Sequence, residues 1–215
     1  MISSKQFLEN IKNKSPLVHH ITNYVTVNDC ANATLAIGAS PIMTAQIEEL
    51  EDIISISSAL VVNIGTMDKI EAFLTAPKIA NAKNVPVILD PVGAGASKKR
   101  NEVVENMLIN SKFAVIKGNL SEILSIAGIS ANTKGVDVSE EDKNTSTIKI
   151  SQIAMKLAKT YNSIIIVTGK DDIVADENNA YKISNGVAYM SKITGTGCMS
   201  ASILGSFIGA NEDYL

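Results

Sequence analysis

The sequence predicts an α/β fold in which a mainly parallel central sheet is covered by helices on both faces. Apolar runs such as 60–65 and 163–169 end in Gly, and runs of this kind are typical of strands buried on both faces. They alternate along the chain with longer segments of helical periodicity. The 215 residues, 46% of them hydrophobic, are enough to bury one sizeable core, so residues 1–215 are predicted to form a single domain.

Helices are predicted where apolar residues recur every three or four positions. Gly38 and Gly128 are the expected ends of two of them, because glycine adopts the left-handed conformation that stops a helix. Pro77 is expected to kink or break a third helix, since proline donates no backbone hydrogen bond. The predicted helices cover residues 4–13, 26–37, 47–57, 67–83, 99–110, 119–127 and 147–160, followed by an apolar final helix that begins near Gly197.

Strands are predicted where short apolar runs are bounded by Gly, Pro, Asn or Asp. Beyond residue 170, Asn and Gly turns separate short segments that predict an antiparallel edge of the sheet. Residues 130–146 are polar without an apolar period and predict a surface loop. The predicted strands are 16–21, 39–43, 60–65, 85–90, 113–118, 163–169, 172–176, 181–184 and 187–190.

The composition excludes several classes of function. The formal net charge of -3 and the aromatic content of 4% argue against a nucleic-acid surface, and the basic run at 98–100 is interpreted as a solvated helix start. Neither a run of 18 apolar residues nor a signal-peptide pattern occurs, so no membrane association is expected. Cys30 and Cys198 lie far apart without metal-binding spacing, which fits a reducing, cytoplasmic setting.

The segment 192–200 carries the first indication of chemistry. Thr194 to Gly197 should form a turn that opens the final helix, with consecutive backbone N–H groups pointing into one concave space. With the positive end of the helix dipole, these groups would form an anion site suited to a phosphoryl group. Cys198 would lie in the first helical turn, a position that favours a thiolate. A glycine-containing turn beside a buried cysteine explains the same residues equally well.

Four side chains near predicted strand ends are candidates for the same site, because ligands of such sheets bind beyond the carboxyl ends of the strands. Asp90 precedes a Gly-rich loop and is interpreted as a Mg²⁺ carboxylate, with a turn-forming Asp as the alternative. Glu122 has capping-box spacing from Asn119, and this structural role is as well supported as a Mg²⁺ role. Lys117 suits a phosphate contact or a salt bridge, and Thr168 suits a phosphate contact or a strand end.

Two further residues, Asn23 and Met43, lie near the ends of the first two extended segments. The few polar groups around them favour a flat heteroaromatic ligand over a sugar. Met43 alone is more often a core residue than a ligand contact.

His19 and His20 should face opposite sides of their strand, so at least one of them is predicted to be structural. Neither G-x-x-x-x-G-K-S/T nor, after the first strand, G-x-G-x-x-G occurs, which argues against a P-loop kinase and a dinucleotide oxidoreductase.

Six segments, taken together and in order, resemble hydroxyethylthiazole kinases of the ribokinase-like superfamily. The resemblance runs through nearly the whole chain, and six ordered segments are much more specific than any one of them. The segments are PLVHHITNYV at 16–25, AIGASPIM at 36–43, NIGT at 63–66, LDPVGAGA at 89–96, IKGNLSEI at 116–123 and TGTGC at 194–198.

The resemblance implies ATP-dependent phosphorylation of the primary hydroxyl of 4-methyl-5-(2-hydroxyethyl)thiazole, a salvage step toward thiamine. It also implies Mg²⁺ as cofactor, ATP as co-substrate and a homotrimer with substrate sites between subunits. The matching segments imply the following site residues: Met43, Gly195 and Asn23 for the substrate, Lys117 and Thr168 for ATP, Asp90 and Glu122 for Mg²⁺, and Gly195, Gly197 and Cys198 for catalysis, with Cys198 as the base.

Three features depart from the family pattern. Lys117 stands where the family more often has Arg, which keeps the charge but loses the bidentate fork. The segment 135–138 usually ends in Ser rather than Val. The chain stops at Leu215, where the family would add helices near the adenine side, so the predicted domain lacks the usual C-terminal helices. The alternatives are another ribokinase-like small-alcohol or pyrimidine kinase, and a catalytically silent ligand-binding relative.

Overall fold

The computed structural model describes residues 4–129 and 140–212. Within these ranges, two short 3-10 helices occupy Ile47–Glu49 and Ala188–Lys192. The strands are β1 (Leu17–Ile21), β2 (Ser40–Met43), β3 (Ala59–Asn63), β4 (Val87–Asp90), β5 (Val115–Asn119), β6 (Ile164–Thr168), β7 (Asp172–Ala175) and β8 (Ala180–Ile183). The α-helices are α1 (Ser4–Lys14), α2 (Val27–Ile37), α3 (Leu50–Ile56), α4 (Ile70–Ala82), α5 (Lys98–Asn110), α6 (Leu120–Ile126), α7 (Glu140–Tyr161) and α8 (Thr196–Ala210).

The eight strands form one sheet in the order β2-β1-β3-β4-β5-β6-β7-β8. Strands β1 to β6 pair in parallel, and β7 and β8 add antiparallel pairs at the edge after β6. The chain goes from β1 outward to β2 and then returns past β1 to β3, so the direction of winding reverses between β1 and β3. The predicted mainly parallel sheet with an antiparallel edge is confirmed.

Helices pack on both faces of this sheet because side chains alternate along its strands. Leu60 and Val62 of β3 belong to a core on one face that includes Phe73 of α4 and Ile123 of α6. Val61, which lies between them, belongs to a second core on the opposite face, together with apolar residues of α1 and α8. The predicted covering of both faces is therefore confirmed.

Helix α8 packs closely against the middle of the sheet because its sequence, TGCMSASILGSFIGA, is rich in small residues. A Cβ atom added to Gly205 would lie 2.7 Å from Cγ2 of Val61 and 2.9 Å from Cγ1 of Val18. At such distances the added atom would overlap both valine side chains, so only glycine allows the helix to lie at this depth. Cys198 is in the first turn of the same helix, so this packing also sets its position.

The strand predicted at 187–190 is wrong. These residues contribute instead to the 3-10 helix Ala188–Lys192, in which the N–H of Met190 donates to the carbonyl oxygen of Val187 at 3.1 Å. β8 is the last strand of the sheet, so the residues that follow it satisfy their backbone groups by local turns. Tyr189 in this segment is 69% exposed.

The surface loop predicted at 130–146 is wrong from Glu140 onward, because α7 begins there. Residues 130–139, which include the atypical segment 135–138, lie outside the described residues. A polar stretch without an apolar period still extends a helix when its later turns pack well. In α7 that packing comes from residues such as Ala154, which is buried in the core.

Of the kink or break predicted at Pro77, the break does not occur, because α4 continues through it from Ile70 to Ala82. Proline removes one helical hydrogen bond. Pro77 is buried together with Ala76 and Ala80, and this apolar packing offsets the missing bond.

Among the described helices, none combines the length and apolar character that a membrane span requires.

His19 and His20 of β1 are both buried, with exposed fractions of 0% and 1%. Nε2 of His19 lies 3.0 Å from the carbonyl oxygen of Thr44, and Nδ1 of His20 lies 3.0 Å from that of Val18. Burial lowers the pKa of His19, and it lowers the pKa of His20 to about 4. Both side chains therefore belong to the interior as neutral imidazoles, in agreement with the prediction that at least one is structural.

The His20→Gln variant is expected to lose less stability than the wild type as the pH falls from 7 to 4. Unfolded His20 binds a proton below its ordinary pKa of 6.5, whereas the folded side chain stays neutral until its pKa of about 4 is reached. The unfolded state therefore gains protons across this window, which lowers wild-type stability by about 3 kcal/mol at most. Urea unfolding at a series of pH values measures the difference. His19 is common to both proteins, and a difference independent of pH would contradict the prediction.

Candidate active site

Polar side chains from neighbouring strands meet at the carboxyl edge of the sheet. Asn63 is the last residue of β3 and lies in register with Asp90, the last residue of β4. Lys117 lies in β5, and Asn23 follows β1. All four side chains are buried. These four side chains lie on both sides of the point between β1 and β3 where the direction in which the chain adds strands reverses. Open parallel sheets bind their ligands at such a point.

The N-terminus of α8 lies over this cluster. Gly195 is the N-cap residue, with φ of 88°. An added Cβ would lie 2.7 Å from Cγ2 of Thr26, so both the backbone conformation and the contact require glycine here. The first N–H groups of a helix have no intrahelical partner, and the N-cap residue supplies no side-chain bond to them. The predicted turn from Thr194 to Gly197 is confirmed, and its N–H groups suit an anion.

Cys198 lies in the first turn of α8, as predicted. Its Sγ lies 3.4 Å from Nδ2 of Asn23 and 3.2 Å from Nδ2 of Asn63. The thiol is free and only partly buried, in contrast to the buried Cys30. Cys198 therefore offers a partly exposed sulfur that faces two amide N–H donors.

Lys117 connects the sheet to the first turn of α8. Its Nζ donates to the carbonyl oxygen of Gly197 at 2.8 Å and lies 3.7 Å from Oδ1 of Asp90. The side chains of this ion pair are only 3% and 2% exposed. Removing either partner would leave a buried charge without compensation. The salt bridge considered for Lys117 is therefore present, and it holds the ammonium group beside the helix end where a phosphate would bind.

The carboxylate of Asp90 is buried beside the ammonium group of Lys117 and the carboxylate of Glu122. Burial raises the pKa of Asp90 to about 6, although the ammonium group of Lys117 opposes this shift. Glu122 raises the pKa further by repulsion between like charges, and the hydrogen bond from Nδ2 of Asn63, 2.7 Å from Oδ2, lowers it. The two carboxylates thus carry more charge than Lys117 neutralises, and a cation beside them would relieve the repulsion.

Glu122 forms the predicted capping box of α6. Its Oε2 accepts from the N–H of Asn119 at 2.8 Å, and Oδ1 of Asn119 accepts from the N–H of Glu122 at 3.0 Å. Its Oε1 accepts from the N–H of Gly93 at 2.9 Å, which ties the Gly-rich loop to the same carboxylate. Each oxygen keeps further lone-pair capacity, so the structural role and a metal role are compatible.

Thr168 and Met43 end β6 and β2, which lie on either side of the strands that carry the contacting side chains. Thr168 ends β6 and is in register with Asn119 of β5. Met43 ends β2, beside His20, and borders a surface cavity of about 400 Å³. The structure therefore brings one group of predicted residues into direct contact and leaves Thr168 and Met43 beside it. The contacting group comprises Asn23, Asp90, Lys117, Gly197 and Cys198.

Asn63 was not predicted as a site residue. It closes an apolar run and was interpreted as part of a buried strand. The available signal was the residue type, because a buried amide at the end of a strand requires partners for both of its polar atoms. Those partners include Asp90 and Cys198.

Arg100 is also part of the site's framework, so the interpretation of 98–100 as a solvated helix start is wrong for this residue. Its Nη1 donates to the carbonyl oxygens of Ile64 at 2.6 Å and Val92 at 2.7 Å, and its Nη2 donates to that of Gly65 at 3.0 Å. One guanidinium group thus joins the turn after β3 to the loop after β4. Arginine suits this position because its planar fork reaches several acceptors at once.

Comparison with known proteins identifies the family. A model of the hydroxyethylthiazole kinase family matches residues 8–215. The chain belongs to the hydroxyethylthiazole kinase family. Within it, the hydroxyethylthiazole kinase of Ruminiclostridium cellulolyticum is 52% identical over 213 residues, which cover 97% of this chain and 77% of that protein. The hydroxyethylthiazole kinase of Clostridium tetani is 48% identical over 207 residues, covering 95% of this chain and 76% of that protein.

Solved structures confirm the ribokinase-like fold. The hydroxyethylthiazole kinase of Pyrococcus horikoshii superposes with a TM-score of 0.85 at 36% identity, covering 96% of this chain and 76% of the other. A ribokinase-like superfamily protein from Enterococcus faecalis superposes with a TM-score of 0.61 at 11% identity, covering 98% and 75% of the two chains, which shows the shared fold alone. The resemblance to hydroxyethylthiazole kinases inferred from six sequence segments is confirmed.

The Arg100→Met variant is expected to be about 2–3 kcal/mol less stable than the wild type, because three partly buried carbonyl oxygens lose a charged donor. The matched control is Lys98→Met on the same helical turn. The side chain of Lys98 is 92% exposed and pairs only at the surface, so that variant should remain within about 0.5 kcal/mol of the wild type. Urea unfolding measures both. Equal effects of the two substitutions would contradict the prediction.

Proposed function

We propose that this chain transfers the γ-phosphoryl group of ATP to the primary hydroxyl of 4-methyl-5-(2-hydroxyethyl)thiazole, a salvage step toward thiamine. Its membership of the hydroxyethylthiazole kinase family supports the substrate. The observation that carries the proposal is the meeting of Cys198 and Lys117 at the N-terminus of α8. Phosphoryl transfer depends mainly on positioning and charge stabilisation, and this cluster supplies both.

In the proposed reaction, the hydroxyl oxygen of the substrate attacks the γ-phosphorus in line with the bond to ADP. A new P–O bond forms as the old one breaks, and the electron pair of the broken bond leaves with ADP. The step requires the thiolate form of Cys198: its Sγ, which is partly exposed and faces two amide N–H donors, accepts the hydroxyl proton and becomes the thiol. Backbone N–H groups from Gly195 to Cys198 stabilise the transferring group, because they need no reorganisation when its charge develops.

Lys117 and Thr168 are the proposed ATP residues, and Asp90 and Glu122 are the proposed Mg²⁺ residues. Magnesium in kinases is commonly held by one or two carboxylates together with substrate phosphates. The two carboxylates fit this description, because the charge of Glu122 acts on Asp90 and each oxygen of Glu122 keeps lone-pair capacity beyond its bond to a backbone N–H. Bound Mg²⁺ supplies charge neutralisation to the polyphosphate.

Met43, Asn23 and Gly195 are the proposed contacts of the thiazole. The cavity beside Met43 is lined by the apolar groups of Tyr24 and Val27 and also by polar side chains, which are His20, Thr22, Thr44, Gln46 and Lys69. The apolar groups suit the face of a flat heteroaromatic ring. Asn23 connects this region to the proposed base through its bond to Cys198.

A homotrimer with substrate sites between subunits is part of the proposal. Large apolar side chains in the segments that carry Asn23 and Gly195 are strongly exposed, among them Tyr24 and Tyr189, both at 69%. The contact of Gly195 with Thr26 brings their two segments together. Exposed apolar groups concentrated at one place mark an interaction surface. Sedimentation velocity measures the assembly directly.

A single ribokinase-like domain that acts in the cytoplasm is also part of the proposal. All eight described strands belong to one sheet, which supports a single domain. Cys30 and Cys198 are both free, and free cysteines are typical of reducing compartments, where ATP is also available.

Purified protein supplied with ATP, Mg²⁺ and 4-methyl-5-(2-hydroxyethyl)thiazole should release one ADP for each thiazole phosphate ester formed. A coupled ADP assay and mass spectrometry of the ester measure this stoichiometry. The control 4,5-dimethylthiazole lacks the hydroxyl and should release no ADP. Turnover of a pyrimidine alcohol instead of the thiazole would support a different small-alcohol kinase. Thiazole binding by calorimetry without ADP release would indicate a silent ligand-binding relative and contradict the proposed activity.

The Lys117→Met variant should raise the KM for ATP about tenfold or more, while the KM for the thiazole changes by less than about threefold. The reason is the location of the ammonium group, which lies beside the first turn of α8 at 2.8 Å from the carbonyl oxygen of Gly197. Lys112→Met is the matched control, because Lys112 is exposed and lies before β5, away from its carboxyl end. Steady-state kinetics with each substrate varied in turn gives both constants. Equal losses for ATP and the thiazole would count against the phosphate role of Lys117.

A further inference from the structure

Asn63 occupies the centre of the site, yet the reaction described above gives it no role. It is 1% exposed and makes four hydrogen bonds. Its Nδ2 donates to Oδ2 of Asp90 at 2.7 Å and to Sγ of Cys198 at 3.2 Å. Its Oδ1 accepts from Nδ2 of Asn23 and from the N–H of Gly65, both at 2.9 Å. A single amide therefore links three different parts of the fold.

Backbone donors determine the orientation of this amide. The N–H of Gly65 can only donate, so the atom it contacts must be the oxygen of Asn63, and the nitrogen must face Asp90 and Cys198. Asn23 is oriented by the same reasoning, because its Oδ1 accepts from the N–H of Thr26 at 3.1 Å. The sulfur of Cys198 therefore faces N–H donors from both amides, and neither can be reversed without losing a backbone bond.

The two N–H donors determine where a thiol hydrogen of Cys198 can lie. Both donors point at Sγ of Cys198, so any thiol hydrogen must point away from both amides. The bond from Gly65 alone accounts for the turn after β3, so a turn-forming role does not require the bonds from Nδ2 of Asn63. These bonds form a separate observation, and they connect the proposed base to the carboxylate of Asp90.

We propose that Asn63 is a positioning residue that holds Sγ of Cys198 ready to accept the hydroxyl proton, and that it does so through the N–H bonds of its Nδ2 atom. The proposal rests on the proposed function, in which Cys198 is the base. It separates two functions of one side chain: the oxygen shapes the turn, and the nitrogen serves the chemistry. The substitution Asn63→Asp separates them experimentally, because it keeps both oxygen contacts and removes both nitrogen donors.

The first measurement is alkylation of Cys198 by iodoacetamide at pH 7 in the substrate-free protein, followed by peptide mass spectrometry. The Asn63→Asp variant should react about tenfold more slowly or slower still, because the sulfur loses a donor and gains a nearby carboxylate. The uncharged Asn63→Leu variant should also react more slowly, by a smaller factor. Cys30 is buried and reports on the integrity of the fold in every sample.

The matched control is Asn81→Asp on α4. Asn81 resembles Asn63 in its bonding, because its Nδ2 donates to the carbonyl oxygen of Lys112 at 2.9 Å and its Oδ1 accepts from the N–H of Lys112 at 2.7 Å. It lies near the C-terminal end of α4, far along the chain from α8. Its substitution should leave the alkylation rate of Cys198 unchanged.

The second measurement is steady-state turnover. Asn63→Asp should lower kcat by about tenfold or more, because the proposed base loses a donor. The KM for ATP should rise as well, since the same substitution removes the bond to Asp90, a proposed Mg²⁺ residue. Alkylation of Asn63→Asp at the wild-type rate would overturn the inference, whatever the kinase activity. A wild-type protein without kinase activity would overturn the proposed function instead, and the alkylation rates would still decide the inference about Asn63.

Discussion

The ion pair between Lys117 and Asp90 is the constraint on which the rest of the site depends. Both charges are buried, so each requires the other and also requires polar partners from the surrounding elements. Those partners come from separate parts of the chain: Asn63 from β3 contacts Asp90, and Gly197 from α8 contacts Lys117. The sheet and the final helix must therefore be assembled together before these charges are stabilised. The interior of the protein and the site therefore form together.

The fold and much of the site were predictable from the sequence, for identifiable reasons. Apolar runs that end in Gly or Asp indicated parallel strands, and the rule that ligands bind at the carboxyl ends of such strands indicated Asp90 and Lys117. The turn before α8 was recognisable from Gly195 and Gly197. Contacts to backbone oxygens were not predictable, because a carbonyl group has no residue-specific signal. The three bonds of Arg100 are of this kind, and so the residue was interpreted as solvated.

Glu122 and Lys117 each have two interpretations from the sequence, and in both cases the structure accommodates the two together. Glu122 was interpreted as a helix cap or as a metal carboxylate, and Lys117 as a salt bridge or as a phosphate contact. The cap and the salt bridge are both present, and each holds its side chain in the position that the proposed chemistry needs. A bond that fixes a charged group in one orientation also lowers the entropy cost of using that group. In the proposed function, structural and chemical roles are thus combined in the same residues.

The close packing at Gly205 has a consequence for how this family can vary. Gly205 follows Cys198 by seven positions on α8, which corresponds to about 10 Å of helical rise. Because the valines opposite it set the depth of the whole helix, an enlarged side chain at Val18 or Val61 would displace the sulfur from its amides. The proposed role of Cys198 therefore constrains these two apolar positions in the same way as folding does.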